Sequence, residues 1–287
     1  MTTSLTLSVE DRTVPGPHGA IPVRVYLPES PRRGLVWAHG GAFSFGGLDQ
    51  AESDWVAREL AARGVAVVAV DYRLSPTPDW MASVTGLPPQ DGVHFPVASE
   101  EMDTVFLWSA TLLPDLDATD WSLGGASAGA NLAAGAALRL RDQKGPSPRS
   151  LLLAYGLFHA THPPLSPELA TKFGALPSEA AVFTPEVLQL ISVNYVGDPA
   201  LLADPYAFPG GHDLTGLPPT FLLNSDFDSI RASAEQFAIE LIAAGVDTLL
   251  VREPRTLHGH LDGVQDGSTT SLARMAHWLL SDLVRPR

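Results

Sequence analysis

The chain has 287 residues, no cysteine, and 32 acidic against 18 basic side chains, which gives a formal net charge of −14. This charge repels the phosphates of nucleic acids, and the missing thiols exclude disulfides, cysteine-ligated metals and a cysteine nucleophile. Apolar residues make up 45% of the chain, so the composition is that of an ordinary globular protein of one large domain or two small ones. A nucleophilic enzyme of this composition must use oxygen or nitrogen.

Signals for export or membrane insertion are weak. The N-terminal residues show no basic segment followed by an apolar one. The longest apolar runs, such as Val65–Val70 and Leu151–Tyr155, fall far short of the roughly 20 residues that a membrane span needs. We therefore expect a cytoplasmic protein that binds neither a membrane nor a nucleic acid.

Strand-like and helix-like segments alternate along most of the chain. Short apolar runs bounded by Pro or Gly predict strands at Ile21–Leu27, Gly34–Ala38, Val65–Tyr72, Trp121–Gly124, Leu151–Tyr155, Thr220–Asn224 and Val246–Val251. Helical spacing predicts helices at Ala51–Arg63, Pro96–Leu113, Ala128–Arg141, Pro185–Asn194, Ser229–Ala244 and Ser271–Leu283. Strands separated by helices imply crossovers between parallel strands. We predict one α/β domain over residues 1–287, with a mostly parallel central sheet flanked by helices.

Two long segments break this alternation. Ser75–His94 is rich in Pro and Gly and has no periodic pattern, and Phe158–Ala181 is similar. Loops of this length inside a compact domain are usually lids or binding loops. We expect residues 75–94 and 158–181 to lie over a functional site.

A Gly-x-Ser-x-Gly sequence, residues 125–129, joins the predicted strand at Trp121–Gly124 to the helix that follows. A serine on so tight a strand-to-helix turn has a strained backbone, and side chains at the two glycine positions would collide with the neighbouring strand or helix. The helix N-terminus beneath Ser127 favours negative charge that develops there. The pattern predicts a nucleophilic serine. A glycine-rich helix start with Ser127 as an ordinary cap is the alternative.

A second glycine-rich turn, His39-Gly40-Gly41-Ala42-Phe43, follows the predicted strand at Gly34–Ala38. Glycines there let backbone N–H groups point into a cavity, where such donors stabilise the oxyanion of an acyl transfer. A glycine-rich turn around a buried histidine is the alternative reading. The later Gly-x-Ser-x-Gly sequence favours the oxyanion turn.

A serine nucleophile needs a base and an acid that orients the base. His258 and His260 follow the last predicted strand, and Asp226 and Asp228 follow the strand before it. The order serine, acid, histidine is the one expected with a Gly-x-Ser-x-Gly turn. From the residues alone, both histidines and both aspartates stay open as candidates.

Eight segments occur in the order of a known family: HGGAF (39–43), DYRLSP (71–76), FP (95–96), GASAGANLAA (125–134), DPYAFP (204–209), GLPPTFLL (216–223), DSIRAS (228–233) and LHGH (257–260). With them the chain resembles the hormone-sensitive-lipase-like family of α/β-hydrolase esterases, particularly bacterial carboxylesterases. The resemblance covers the chain from about residue 20 onwards and implies the α/β-hydrolase fold.

The resemblance also implies roles for individual residues. Ser127 matches the nucleophile, His258 the general base and Asp228 the orienting acid, and the oxyanion hole matches the N–H groups of Gly40, Gly41 and Ala128. Asp228 is favoured over Asp226 because the family's acid opens a D-x-L-R pattern that only residues 228–231 fit. Asp226 is then expected to hydrogen-bond within its turn.

The chain departs from the family pattern at several positions. Ala126 replaces the usual aspartate before the serine, and His260 stands where an apolar residue is typical. Only 38 residues precede His39, whereas family members often carry a helical cap there. We expect a reduced or absent N-terminal cap, with an active site that is open or covered by residues 75–94 and 158–181.

These patterns predict a serine carboxylic-ester hydrolase that acts on small or short-chain acyl esters through an acyl-enzyme, as a monomer or homodimer. An arylformamidase-type amide hydrolase on the same scaffold is the alternative enzyme. A non-catalytic small-molecule receptor is the alternative outside enzymes, and the presence of all three triad residues disfavours it.

No cofactor or metal is expected. The chain has neither a Walker A motif nor a dinucleotide-binding fingerprint. His159 and His162 have a spacing that suits metal ligands, but they lie in a Pro-rich loop without an obvious carboxylate partner.

Overall fold

A single eight-stranded sheet organises the computed structural model, which describes residues 7–178, 180–282 and 284. Its strands are β1 (Leu7–Gly16), β2 (Gly19–Pro28), β3 (Arg33–Ala38), β4 (Val65–Val70), β5 (Trp121–Ala126), β6 (Leu151–Ala154), β7 (Thr220–Phe227) and β8 (Thr248–Leu257). The strand order is β1-β2-β4-β3-β5-β6-β7-β8. Strand β2 pairs antiparallel with β1 and β4, and all other pairs are parallel.

Eight α-helices of the described residues accompany the sheet: α1 (Ala51–Ala61), α2 (Asp79–Thr85), α3 (Val97–Ser109), α4 (Ala128–Asp142), α5 (Pro167–Gly174), α6 (Pro185–Val196), α7 (Arg231–Ala243) and α8 (Ser268–Leu280). Each predicted strand and helix is present, with ends shifted by a few residues; the largest change extends β8 to Leu257. The predicted end of the last helix, Leu283, lies outside the described residues. The predicted α/β fold with a mostly parallel sheet is therefore confirmed. No helix in the described ranges is both long and apolar enough to cross a bilayer.

The sheet separates two apolar cores. Strand β4, the β-branched run at 65–70, is buried along its whole length. Its side chains alternate, so Ala66, Val68 and Val70 join the core that contains α3, α4, α6 and α7. Val65, Val67 and Ala69 join the core that contains α1 and α8. Helices thus cover both faces, as parallel sheets require.

The two segments expected to lack periodic structure each contain a short helix, α2 within 75–94 and α5 within 158–181. Helix α5 escaped prediction because it is only eight residues long and buries only Leu169, so its apolar side is too short to show a repeat. Polar contacts fix it instead. The Ser166 side chain caps its first turn, and Lys172 lies 2.5 Å from Asp226 of β7.

The sheet topology brings the sequence motifs together. Strands β3, β5, β6, β7 and β8 are consecutive parallel neighbours, so their carboxyl ends lie at one edge of the sheet. The residues that follow β3, β5, β7 and β8 are the His39–Phe43 turn, Ser127, Asp228 and His258. All the candidate site residues therefore come from loops at this edge.

Candidate active site

Ser127 occupies a strained turn between β5 and α4. Its φ of 52° and ψ of −115° lie outside the regions that non-glycine residues usually adopt. The flanking glycines allow the close approach: a Cβ on Gly125 would lie 2.4 Å from the carbonyl carbon of Gly129, and one on Gly129 would lie 2.2 Å from the Ala38 oxygen. The turn has the geometry expected of a nucleophile elbow rather than of an ordinary helix cap.

Ser127, His258 and Asp228 form one hydrogen-bonded chain. Ser127 Oγ lies 3.0 Å from His258 Nε2, and His258 Nδ1 lies 2.7 Å from Asp228 Oδ2. The Asp228 side chain is buried, and its other oxygen accepts a hydrogen bond from the N–H of Ile230 at the start of the next helix. The structure thus brings together the three side chains that the resemblance pointed to.

The surroundings of His258 favour its charged form. Burial by itself lowers the pKa of this imidazole, but the carboxylates of Asp228 and Glu52 outweigh burial, and the pKa is raised above its usual value. The rings of Phe183 and Tyr155 stand edge-on to His258, with centroids 4.5 and 5.0 Å away. An imidazolium formed at this position would be both stabilised and held in one orientation.

The glycine-rich turn differs from the expectation at one position. The N–H of Gly40 donates to Glu52 Oε2 over 2.6 Å, so it is already occupied. The N–H groups of Gly41, Ala42 and Ala128 donate to no atom of the described residues. Ala42, which sequence reasoning passed over as a donor, lines the same cavity as Ser127 and Ala128.

The two alternative candidates lie in other networks. His260 is buried between Ser225 and Ser271, whose hydroxyls lie 2.8 and 2.9 Å from its two ring nitrogens, so neither nitrogen is available as a base. Asp226 has a local partner, Arg231, which donates to its carboxylate over 3.3 Å. The carboxylate also accepts from Lys172 and from the N–H of Arg255, two contacts that reach beyond the turn in which its hydrogen bonds were expected. Long-range partners of this kind leave no signal in the local sequence.

Of the two histidines whose spacing suits metal ligands, His159 and His162, the first has protein partners at both ring nitrogens. The ring of His159 lies between Ser233 and Glu240, with Nδ1 2.9 Å from the hydroxyl and Nε2 3.2 Å from the carboxylate. These contacts attach the loop after β6 to helix α7. Within the described ranges, no three or more His, Asp or Glu side chains are grouped to hold a metal ion.

Two buried histidines should make the fold acid-sensitive. Burial lowers the pKa of both His39 and His260 to about 4, far below the 6.5 of an unfolded chain. The unfolded state therefore binds more protons between these values, and the free energy of unfolding falls as the pH drops from about 6.5 to 4, by up to about 3 kcal/mol for each histidine. Urea unfolding of wild type and His260→Gln measures this effect. The difference between their free energies of unfolding should shrink as the pH falls from about 6.5 to 4.

The exposed His277 provides the control for this measurement. His277→Gln removes a histidine of α8 without removing a buried neutral imidazole, so its unfolding free energy should keep the wild-type pH dependence. A His260→Gln variant that also keeps the wild-type slope would contradict the assignment.

The cavity beside Ser127 is small and apolar. It offers about 10 Å³ for the centre of a water-sized group, roughly the minimum that one water needs. Its walls are Ala42, Phe43, Leu157, Phe183, Leu188, Ile191 and Ile230, next to Ser127 and Ala128. None of these residues belongs to 75–94 or 158–181, whereas Phe183 and two residues of helix α6, Leu188 and Ile191, are among them. Sequence reasoning placed α6 but gave it no part in the site.

Comparison with known proteins agrees with this architecture. Residues 35–86 and 87–262 match the family described as alpha/beta hydrolase fold. The chain belongs to this family. It is 31% identical over 268 residues to carboxylesterase NlhH of Mycobacterium tuberculosis, an alignment that covers 89% of this chain and 76% of the relative. It is 29% identical over 279 residues to an acetyl esterase of Salmonella enteritidis, covering 91% and 79%.

A solved structure, an esterase of Pyrobaculum calidifontis, superposes on this chain with a TM-score of 0.82 at 29% sequence identity, covering 96% of this chain and 86% of that one. These relatives confirm the predicted resemblance to hormone-sensitive-lipase-like esterases and the predicted α/β-hydrolase fold. The protein is a carboxylic ester hydrolase.

Proposed function

We propose that this esterase cleaves its substrate with Ser127 as nucleophile, His258 as general base and acid, and Asp228 as the residue that orients the histidine. The observation that carries the proposal is the hydrogen-bonded chain from Ser127 Oγ through His258 to Asp228 Oδ2, on a strained turn. Neutral His258 with its proton on Nδ1 donates to Asp228, which leaves Nε2 free to accept the serine proton.

The reaction then proceeds in two halves. In the first, His258 takes the proton of Ser127 as Oγ attacks the ester carbonyl, and it returns that proton to the leaving alcohol when the C–O bond breaks. In the second, His258 takes a proton from water as the water oxygen attacks the acyl-serine, and it returns the proton to Ser127 as the acid leaves. Asp228 stabilises the imidazolium in both halves.

The tetrahedral oxyanion needs backbone donors on the side of the serine away from His258. The N–H groups of Gly41, Ala42 and Ala128 are supported as these donors, because they have no acceptor among the described residues and Ala42 and Ala128 border the cavity beside Ser127. Gly40 is left out of the proposed hole because its N–H is bound to Glu52.

The substrate is a small ester with a short acyl chain. The cavity beside Ser127 accepts a group of about the size of a methyl, and its apolar walls offer no partner for a polar acyl substituent. The methyl of an acetyl group is close to this size, whereas a longer chain has to displace Leu188 or Ile191 of α6. The negative charge of −14 in addition disfavours binding to anionic lipid surfaces.

Shortening Ile191 to alanine should extend the range of acyl chains. Wild type should hydrolyse p-nitrophenyl acetate with a kcat/KM at least about 10-fold above that for p-nitrophenyl hexanoate. Ile191→Ala should reduce this preference by about 10-fold or reverse it, because each methylene bound in such a pocket contributes about 1–3 kcal/mol. Rates over the series from acetate to decanoate measure this change directly.

The neighbouring Leu190, which is 47% exposed, supplies the control. Leu190→Ala shortens a side chain of the same helix that does not line the cavity. The preference of this variant among acyl chain lengths should therefore match that of wild type. A wild-type enzyme that prefers octanoate, or an Ile191→Ala variant with an unchanged profile, would overturn the proposed short-chain pocket.

A further inference from the structure

A carboxyl group that plays no part in the proposed reaction lies buried under the site. Glu52, in the first turn of α1, is only 3% exposed. One of its oxygens accepts the N–H of Gly40 over 2.6 Å, and the other accepts a hydrogen bond from the hydroxyl of Tyr155. Burial raises the pKa of this carboxyl, which shows that its position is costly for the charged form.

Both donors belong to segments that border the proposed catalytic residues. A Cβ on Gly40 would lie 2.5 Å from Glu52 Oε2 and 3.1 Å from Ser127 Cβ, so the glycine backbone fits between the carboxyl and the serine. The Tyr155 ring stands edge-on to His258, with centroids 5.0 Å apart and planes at 67°. One carboxyl therefore contacts both the turn beside Ser127 and the ring behind His258.

The backbone of Glu52 is itself fixed. Its N–H donates to Asp262 Oδ1 over 3.2 Å, and its carbonyl accepts a hydrogen bond of 2.9 Å from the indole of Trp37 on β3. Trp37 is fully buried, so this anchor belongs to the core of the sheet. The side chain starts from a rigid point and ends on two groups next to the reacting atoms.

We propose that Glu52 is a positioning residue of this esterase, whose carboxyl holds the Gly40–Ala42 turn and Tyr155 at the distances from Ser127 and His258 that the reaction needs. The inference rests on the proposed roles of Ser127 and His258. It follows from geometry, because removing the carboxyl leaves the Gly40 N–H and the Tyr155 hydroxyl buried without their acceptor and lets the turn move. Displacements of about 1 Å in such a site can cost about 100-fold in rate.

Two variants distinguish the effect of the Glu52 carboxyl on the rate from the effect of the side-chain volume. Glu52→Ala removes both acceptors and should lower kcat for p-nitrophenyl acetate by about 100-fold, with KM changed less than about 3-fold, because the lost interactions act on the transition state. Glu52→Gln keeps one oxygen for Gly40 and should lose about 10-fold. Tyr155→Phe keeps the Glu52–Gly40 bond and should lose less than Glu52→Ala.

The matched control is Glu101→Gln on α3. Glu101 is equally buried and also accepts a backbone N–H, that of Arg73, over 2.8 Å. The Glu101→Gln variant should be less stable than wild type in urea unfolding, but its kcat should equal that of wild type. The inference is overturned if folded Glu52→Gln and Glu52→Ala keep the wild-type kcat, if they raise only KM, or if Glu101→Gln loses as much kcat as they do.

Labelling with a fluorophosphonate probe distinguishes a failure of the proposed Glu52 role from a failure of the proposed serine mechanism. Wild type that is labelled at Ser127 while the Glu52 variants hydrolyse esters normally overturns only the role of Glu52. Wild type that is not labelled at Ser127 overturns the proposed nucleophile, and the role of Glu52 with it.

Discussion

Replacing Ser127 with alanine should lower kcat for p-nitrophenyl acetate by about 10⁴-fold or more, and the protein should remain folded. The Ser127 hydroxyl, at the strained turn after β5, lies 3.0 Å from His258 Nε2. Without it no acyl-enzyme forms, and only residual binding and oxyanion stabilisation remain. Steady-state hydrolysis and mass spectrometry after fluorophosphonate treatment measure the two consequences, loss of turnover and loss of the label.

Ser122, on the same strand, is the control. Its hydroxyl is buried and lies 2.9 Å from that of Ser150, so Ser122→Ala removes an internal hydrogen bond and should cost about 1 kcal/mol of stability. Its turnover should stay within about 2-fold of wild type, since it contacts none of the proposed catalytic groups. Ser127→Ala with near-wild-type turnover would contradict the serine mechanism.

Replacing Asp228 with asparagine should lower kcat by about 10³- to 10⁴-fold while the geometry of the site changes little. In the proposed mechanism the carboxylate accepts the Nδ1–H of His258, 2.7 Å away, and thereby keeps Nε2 unprotonated toward Ser127. An amide can donate to Nδ1 instead, which favours the wrong tautomer, and it no longer stabilises the imidazolium. Rates of p-nitrophenyl acetate hydrolysis over pH 6 to 9 measure the loss.

Asp226→Asn tests the neighbouring carboxylate under the same conditions. Asp226 lies 2.5 Å from Lys172 and accepts the N–H of Arg255, so the variant should lose stability as helix α5 loosens. It should keep kcat within about 3-fold, because Asp226 makes no contact with His258 among the described residues. If Asp226→Asn loses activity and Asp228→Asn keeps it, the proposed orienting acid is wrong.

The sequence is sufficient to predict the structure where a local pattern of residues coincides with burial. The unbroken run at 65–70 predicted a strand buried on both faces, and β4 divides its side chains between two cores. The glycines at 125 and 129 predicted a turn without room for side chains, and each would place a Cβ within 2.5 Å of backbone. In these places a local sequence pattern is enough to indicate the structure, even where the contact itself is distant in the chain, as between Gly129 and Ala38.

The sequence was insufficient where contacts join distant residues. The acceptor of the Gly40 N–H is Glu52, whose position depends on Trp37 and Asp262 rather than on the glycine-rich turn. Helix α5 depends on the partner of Lys172 in β7. From the residues alone His260 is an alternative to His258 as the base, and only the folded chain shows that Ser225 and Ser271 occupy both ring nitrogens of His260.

Helix α6 has a consequence for how such a protein can change. The proposed reacting groups follow β5, β7 and β8, whereas the wall formed by Leu188 and Ile191 belongs to the excursion of chain between β6 and β7. Mutations in that excursion can alter which acyl groups enter without touching the turns that carry the nucleophile, the acid and the base. Evolution, or a protein engineer, can therefore explore new substrates one residue at a time while the reactive machinery stays intact.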